Sequence, residues 1–190
     1  LDIHYLSALE IAEKIKTKEV SSLELTQHFI DRIEKYDDKI KSVVVKIFDQ
    51  AIEDAKVADK TLSTNQNLGP LHGVPMTIKE SYNIKGQSTN WGIPDYKGNI
   101  AKEDGLAVQR FKNAGAHFLG KTNVPMNLAD FQSYNDVYGT TGNPWDVNRT
   151  PGGSSCGRAA PLAAGFTYLE AGSEIVRSII IAAPYFGVLV

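Results

Sequence analysis

The stretch GVPMTIK, residues 73–79, is a short apolar run that ends in a lone lysine, Lys79. A second such run, HFLGKT over residues 117–122, follows a segment, 104–114, whose apolar residues have helical spacing. Short apolar runs between glycine and proline are typical of buried strands, and their alternation with helices is typical of an α/β sheet. The sequence therefore predicts an α/β sheet with flanking helices from about residue 67 onward.

The first 66 residues have a different sequence pattern, which predicts a helical arm. Two Ser-x-x-Glu patterns, beginning at Ser7 and Ser21, are typical of capping boxes, which satisfy the free amides at a helix start. Residues 25, 29, 33 and 36 then form one apolar stripe. A short strand over 43–48, a helix over 49–60 and a polar hinge over 61–68 are expected next. We expect a single domain, with the helical arm in residues 1–66 and the α/β core in residues 67–190.

Composition and charge exclude several classes of partner. The formal net charge is −2 and the basic residues are scattered, so no direct nucleic-acid binding is expected. One cysteine, Cys156, excludes an internal disulfide framework and favours a reducing, cytoplasmic setting. The uncharged run SIIIAAPYFGVLV, residues 178–190, is shorter than the roughly 20 residues that cross a bilayer. It is interpreted as a buried strand, turn and strand, and its position at the chain end favours a truncated chain with no membrane role.

Two serines and the lysine of the opening stretch suggest acyl chemistry. Ser154 stands in a glycine-serine loop, GGSS at 152–155, which precedes an expected helix over 158–164, and Ser178 follows 24 residues later. A serine hydroxyl becomes a nucleophile when a base takes its proton, and a lysine kept neutral by burial can be that base. Alone, the loop is more typical of a plain turn, and a lysine beside a glutamate, as Lys79 is beside Glu80, is more typical of a solvated surface charge. A phosphate-binding loop is disfavoured because no Gly-Lys-Ser/Thr ends it.

The order of five short blocks makes the pattern more specific. The blocks are GPLHGVP at 69–75, IKE at 78–80, GKTNVP at 120–125, YGTTGNPW at 138–145 and PGGSS at 151–155. Together they resemble the amidase signature family, which includes bacterial amidases, fatty acid amide hydrolase and the glutamyl-tRNA amidotransferase A subunit. The resemblance covers residues 8–190 and corresponds to the N-terminal portion of these longer proteins. It implies a mixed β-sheet flanked by helices and hydrolysis of a carboxamide C–N bond.

The resemblance also implies roles for individual residues. Lys79 matches the catalytic lysine, Ser154 the serine with a cis peptide bond and Ser178 the nucleophile that forms an acyl-enzyme. Ser155 is a secondary candidate for the proton network. The amides that would form the oxyanion hole belong to Ile175, Val176, Arg177 and Ser178. No cofactor and no metal are implied, the substrate is a small-molecule amide, and a homodimer is one arrangement left open.

The segment before Ser178 departs from the family pattern. Val176 and Arg177 stand where the family has two glycines, and Glu174 stands where it has aspartate. A β-branched valine is poorly suited to a positive φ, and one lost oxyanion donor costs about 2.7–4 kcal/mol in other serine hydrolases. Two alternatives therefore remain: a catalytically impaired remnant or binding module, and a component of an amidotransferase that works with partner subunits and tRNA. His4, His28 and His117 show no partner pattern in the sequence, and His72 belongs to the first block, where a structural role is expected.

Overall fold

The structure is a computed structural model that describes residue 3 and residues 6–64, 68–150 and 156–173. Five α-helices and six strands lie within these ranges. The helices are α1 (Ala8–Lys16), α2 (Ser22–Ile40), α3 (Phe48–Leu62), α4 (Leu106–Asn113) and α5 (Cys156–Ala163). The strands are β1 (Val43–Lys46), β2 (Pro75–Lys79), β3 (His117–Thr122), β4 (Tyr134–Asn135), β5 (Gly139–Thr140) and β6 (Glu170–Ala171). Two short 3₁₀ helices cover Pro94–Tyr96 and Met126–Leu128.

Both predicted capping boxes are confirmed at the starts of α1 and α2. The hydroxyl of Ser7 accepts from the Glu10 amide at 3.2 Å, and the Glu10 carboxylate accepts from the Ser7 amide at 2.7 Å. Ser21 and Glu24 repeat the arrangement at 3.1 and 2.9 Å. Each box satisfies two backbone amides that have no partner within the helix, so both helices begin where the local sequence indicates.

The apolar stripe of α2 is confirmed at three of its four positions. Leu25, Phe29 and Ile33 are fully buried, whereas Tyr36 is 44% exposed. The cationic groups of Arg32 and Lys35 lie 5.4 and 5.0 Å from the centre of the Tyr36 ring. Tyr36 therefore does not belong to the buried face of α2, which continues through Asp37 and Ile40 instead.

Four strands form a mixed sheet in the order β1-β3-β2-β6. Strand β2 pairs in parallel with β3 on one side and with β6 on the other, and β1 pairs antiparallel with β3. This confirms the predicted mixed sheet with flanking helices. The expected boundaries agree within about two residues for β1, β2, β3 and the helices α3, α4 and α5. The predicted strand–turn–strand over 178–190 lies outside the described residues.

Because successive side chains of a strand point to opposite sides, the two faces of the sheet carry different residues. Side chains that lie beside one another on parallel strands share a face. One face presents Thr77, Lys79, Thr122 and Glu170, and it is covered by α2 and α5 through a core cluster that includes Phe29, Ala160 and Phe166. The other face presents Met76 and Ile78, which pack with Val108 of α4.

Gly120 in β3 permits a close approach between strands. A Cβ atom there would lie 2.6 Å from the Val45 carbonyl oxygen and 2.6 Å from Val43 Cγ1. Strand β1 carries a bulge between Val43 and Val45 at this point. Because real Cβ contacts are not this short, β1 can pair with β3 in this register only if residue 120 lacks a side chain.

Candidate active site

The candidate site is built around the amine of Lys79 at the carboxyl end of β2. The side chain is only 1% exposed, and its Nζ donates to Ser173 Oγ at 3.1 Å. Ser173 follows the neighbouring strand β6, so the contact joins the ends of two parallel strands. The interpretation of Lys79 as a solvated surface charge is therefore wrong. Carboxyl ends of parallel strands are the usual place for binding sites in α/β proteins.

Helix α5 packs on the strand that carries Lys79. It starts at Cys156, directly after the GGSS segment, and packs on β2 and β6. Ser154, Ser155 and Ser178 lie outside the described residues, as do Ile175, Val176 and Arg177. The structure thus describes the lysine of the predicted triad and the helix that follows the glycine-serine loop, and the roles of these six residues stay predictions.

A carboxylate lies on the same face of the sheet as Lys79. Glu170 Oε1 accepts a hydrogen bond of 2.8 Å from Thr122 Oγ1. Glu170 belongs to β6 and Thr122 to β3, and β2 runs between these two strands. The Glu170 side chain therefore crosses over β2. No pattern in the sequence indicates this, because the contact depends on the register of three strands.

The opposite face carries a second buried lysine, Lys121, together with Glu80. Both side chains are fully buried. Lys121 donates to the Ser88 carbonyl and, at 2.6 Å, to Thr89 Oγ1. Burial lowers the pKa of Lys121 to about 8, an effect that the Glu80 carboxylate opposes. Burial likewise raises the pKa of Glu80, opposed mainly by the Lys121 charge.

Glu80 holds the segment that follows β2. Its two oxygens accept from the amides of Asn90 at 2.7 Å and Trp91 at 2.9 Å, and one also accepts from the Tyr138 hydroxyl at 3.2 Å. Burial and the Glu80 charge together raise the pKa of Tyr138 to about 12. Glu80 and Lys121 thus hold residues 88–91 in place through hydrogen bonds. Within this segment, Trp91 is 42% exposed.

Two histidines lie at the other end of the sheet. His117 is 4% exposed, and its Nε2 lies 2.8 Å from Thr26 Oγ1 of α2. Burial, and secondly the nearby His72, lowers the pKa of His117 to about 4. His72 and His117 line a cavity of about 600 Å³ against α3, and Lys79 is not among its lining residues. His117 therefore serves the packing of α2 on β3, a role that sequence reasoning missed.

The described residues contain no cluster of three or more His, Cys, Asp or Glu side chains that could hold a metal ion. In the part of the chain that the structure describes, no helix is both long and apolar enough to span a membrane.

Comparison with known proteins identifies the class to which this fold and site belong. The profile of the amidase family matches residues 24–189. The chain therefore belongs to the amidase family, also known as the amidase signature family.

Individual relatives extend the likeness over the whole chain. The A subunit of a glutamyl-tRNA(Gln) amidotransferase from Moraxella catarrhalis is 39% identical over 98% of this chain and 38% of its own length. An acylamidase of Rhodococcus erythropolis is 35% identical over 99% of this chain and 39% of its own length. The solved structure of a fatty acid amide hydrolase superposes with a TM-score of 0.92 at 31% identity, over 97% of this chain and 32% of that one. The chain thus spans about two fifths of the length of the curated relatives that it matches.

Proposed function

We propose that this chain takes part in the hydrolysis of a small-molecule carboxamide through Lys79, Ser154 and Ser178. The main support for the proposal is the position of the Lys79 amine. It is buried at the carboxyl end of β2 and donates a hydrogen bond of 3.1 Å to the Ser173 hydroxyl. Burial disfavours the charged form of an amine, which is the condition that a lysine must meet to act as a base. The match to the amidase family supports the assignment of the two serines.

The proposed reaction has two steps. Neutral Lys79 draws a proton through Ser154 from Ser178, while the Ser178 oxygen bonds to the amide carbonyl carbon. The oxyanion is held by amides of residues 175–178, with Ser155 as a further donor. The C–N bond then breaks, the proton passes to the leaving amine, and an acyl ester remains on Ser178. Water hydrolyses that ester and restores the serine. These steps need no cofactor.

A fluorophosphonate probe tests the proposal in the full chain, because it labels only an activated serine. We expect labelling that is absent in Ser178→Ala and about 10²- to 10⁴-fold slower in Lys79→Met, which keeps the volume but removes the base. Ser63→Ala, an exposed serine at the end of α3, is the matched control and should label like the unaltered chain. Cooperatively folded protein that does not label would refute activity and favour an impaired remnant or binding module.

A second candidate is one component of a glutamyl-tRNA amidotransferase. It is favoured by three relatives of that printed name that are 36–39% identical over at least 98% of this chain. This function requires partner subunits, which could supply the basic surface that the scattered charges here lack. Affinity purification from the native cells separates the two candidates. Partner subunits in stoichiometric amount would support the amidotransferase, and recovery of the chain by itself or as a homodimer would contradict it.

We further propose a cytoplasmic setting, since a single cysteine and the absence of a disulfide framework suit a reducing compartment. Fractionation of native cells tests this location, and recovery in an extracellular fraction would contradict it.

A further inference from the structure

The indole of Trp91 is presented at the surface by a backbone that is fixed on both sides. The Trp91 amide donates to Glu80 Oε2 at 2.9 Å, and its carbonyl accepts from the Asn127 amide at 2.8 Å. Glu80 is fully buried, whereas Trp91 is 42% exposed. Two anchors from different parts of the chain therefore fix the point from which this exposed side chain leaves the backbone.

Backbone strain is concentrated at the same place. Trp91 has a φ of 56°, in the left-handed region that bulky residues rarely adopt. Asn127 and Leu128, in the segment that follows β3, have φ values of 54° and 59°. Of the five non-glycine residues with positive φ in the described ranges, three thus lie in two segments that one hydrogen bond joins. Strained residues persist only where their surroundings impose them, and they cluster at binding and active sites.

These two segments start from the edge of the sheet that carries Lys79. One follows β2 and the other follows β3, and the two strands are parallel. Glu80, which holds the Trp91 amide, is the residue next to Lys79. Covalent geometry and that hydrogen bond of 2.9 Å place the Cα atoms of Trp91 and Lys79 at most about 13 Å apart. A carboxamide with an extended apolar chain can reach from the buried amine to the indole.

We propose that Trp91 is a specificity-determining residue that contacts the apolar group of the carboxamide substrate. Met126, which precedes Asn127 and is 53% exposed, adds apolar surface to the same pair of segments. An indole offers a large and rigid apolar surface, so it favours substrates that cover it with carbon over substrates that leave it in water. This role in substrate choice rests on the proposed amide hydrolysis, but the binding itself does not require turnover.

Tryptophan fluorescence of the full chain tests the contact. The chain has two tryptophans, so Trp145→Phe leaves Trp91 as the only one. This variant is titrated with acetamide, with hexanamide and with N-butylacetamide, an isomer of hexanamide that carries its apolar chain on the amine side. We expect a saturable change in Trp91 emission with at least one isomer. Its affinity should exceed that of acetamide by about 10-fold or more, because each buried methylene contributes roughly three- to fourfold.

Replacement of Trp91 measures what the indole contributes to this preference. Ligand-observed nuclear magnetic resonance gives the affinities of the same three amides for each variant. Trp91→Ala should lose most of the preference for the favoured isomer over acetamide, whereas Trp91→Phe, which keeps an aromatic ring, should retain most of it. Trp145→Ala removes another exposed tryptophan and is the matched control, which should leave the preference unchanged.

The absence of a saturable change with both isomers overturns the proposal. So does a Trp91 indole that acrylamide fails to quench before any amide is added, because protein would then already cover it. If Trp91→Ala does not fold, the fluorescence titration of Trp145→Phe decides the question. A chain that binds an amide through Trp91 but never labels with the fluorophosphonate probe would refute the hydrolase and leave the contact standing. A chain that labels, but whose preference does not depend on Trp91, would do the reverse.

Discussion

Acid should destabilise this chain through one buried imidazole, that of His117. Its pKa is about 4 in the folded chain and 6.5 for an unperturbed imidazole. Between these values the unfolded chain binds a proton that the folded chain does not, so stability is complete above pH 6.5 and is lost as the pH falls to about 4. Since one pKa unit is equivalent to about 1.4 kcal/mol, the loss from this group approaches about 3 kcal/mol. That is a large share of the 5–15 kcal/mol typical of a domain.

The structure explains why His117 resists protonation. It is 4% exposed, Nδ1 is buried with no hydrogen-bond partner among the described residues, and Nε2 faces the Thr26 hydroxyl. A charged His117 imidazole would lose its hydration, because the side chain is buried. The nearby His72 lowers the pKa of His117 further by repulsion, and no carboxylate in the described part of the chain opposes this effect. Burial of a charge without a partner is the costly case.

Urea unfolding at pH 7, 6, 5 and 4, followed by circular dichroism, measures the effect as a difference between the unaltered chain and His117→Gln. Glutamine cannot titrate, so the difference in the free energy of unfolding should fall by about 3 kcal/mol from pH 7 to pH 4. His28→Gln, which replaces a half-buried histidine of α2, is the matched control. A difference between the unaltered chain and His117→Gln that stays constant over this range would refute the reasoning.

Three further predictions concern stability, each measured by thermal or urea unfolding. Gly120→Ala should lower the free energy of unfolding by about 1–3 kcal/mol, because the new Cβ would lie 2.6 Å from a backbone oxygen. The control Gly105→Ala, whose Cβ would have its nearest contact at 3.7 Å, should lower it by less than about 1 kcal/mol. Equal losses in the two variants would contradict this prediction. Ser21→Ala should cost about 1 kcal/mol by removing a capping box, and no loss would show that the cap is not needed. Lys121→Met should cost about 3–5 kcal/mol by leaving the Glu80 charge buried, and Glu80→Gln added to it should recover part of that loss; additive losses would contradict the pairing.

The parts of the fold that follow from neighbouring residues were predictable. The capping boxes at Ser7 and Ser21 depend on side chains three residues apart, and the structure forms both. The run at 117–122 forms a fully buried strand with the expected ends. The run at 73–79 likewise forms a buried strand, and it ends at Lys79. In each case the physical cause acts over one turn of helix or along one strand.

The buried charges were not predictable. Lys121 and Glu80 lie 41 positions apart, and charged residues are rarely buried without a partner, so each by itself indicates a surface position. They meet because Ile78 lies beside Lys121 in the pairing of β2 with β3. The contact of His117 with Thr26 was not predictable either, because it depends on how α2 packs on β3.

Lys79 and Glu170 illustrate the difference between what the local sequence determines and what only the tertiary structure determines. The chain's local pattern specifies that β2 and β3 are buried strands, that α1 and α2 begin at capped serines, and that a lysine stands at the end of β2. It does not specify which strands lie side by side or how they are offset. That arrangement comes from closing long loops and packing α2 and α5 on one face of the sheet, and a shift of one residue would turn Glu170 to the other face. The crossing of Glu170 over β2 to Thr122 therefore exists only in the folded chain.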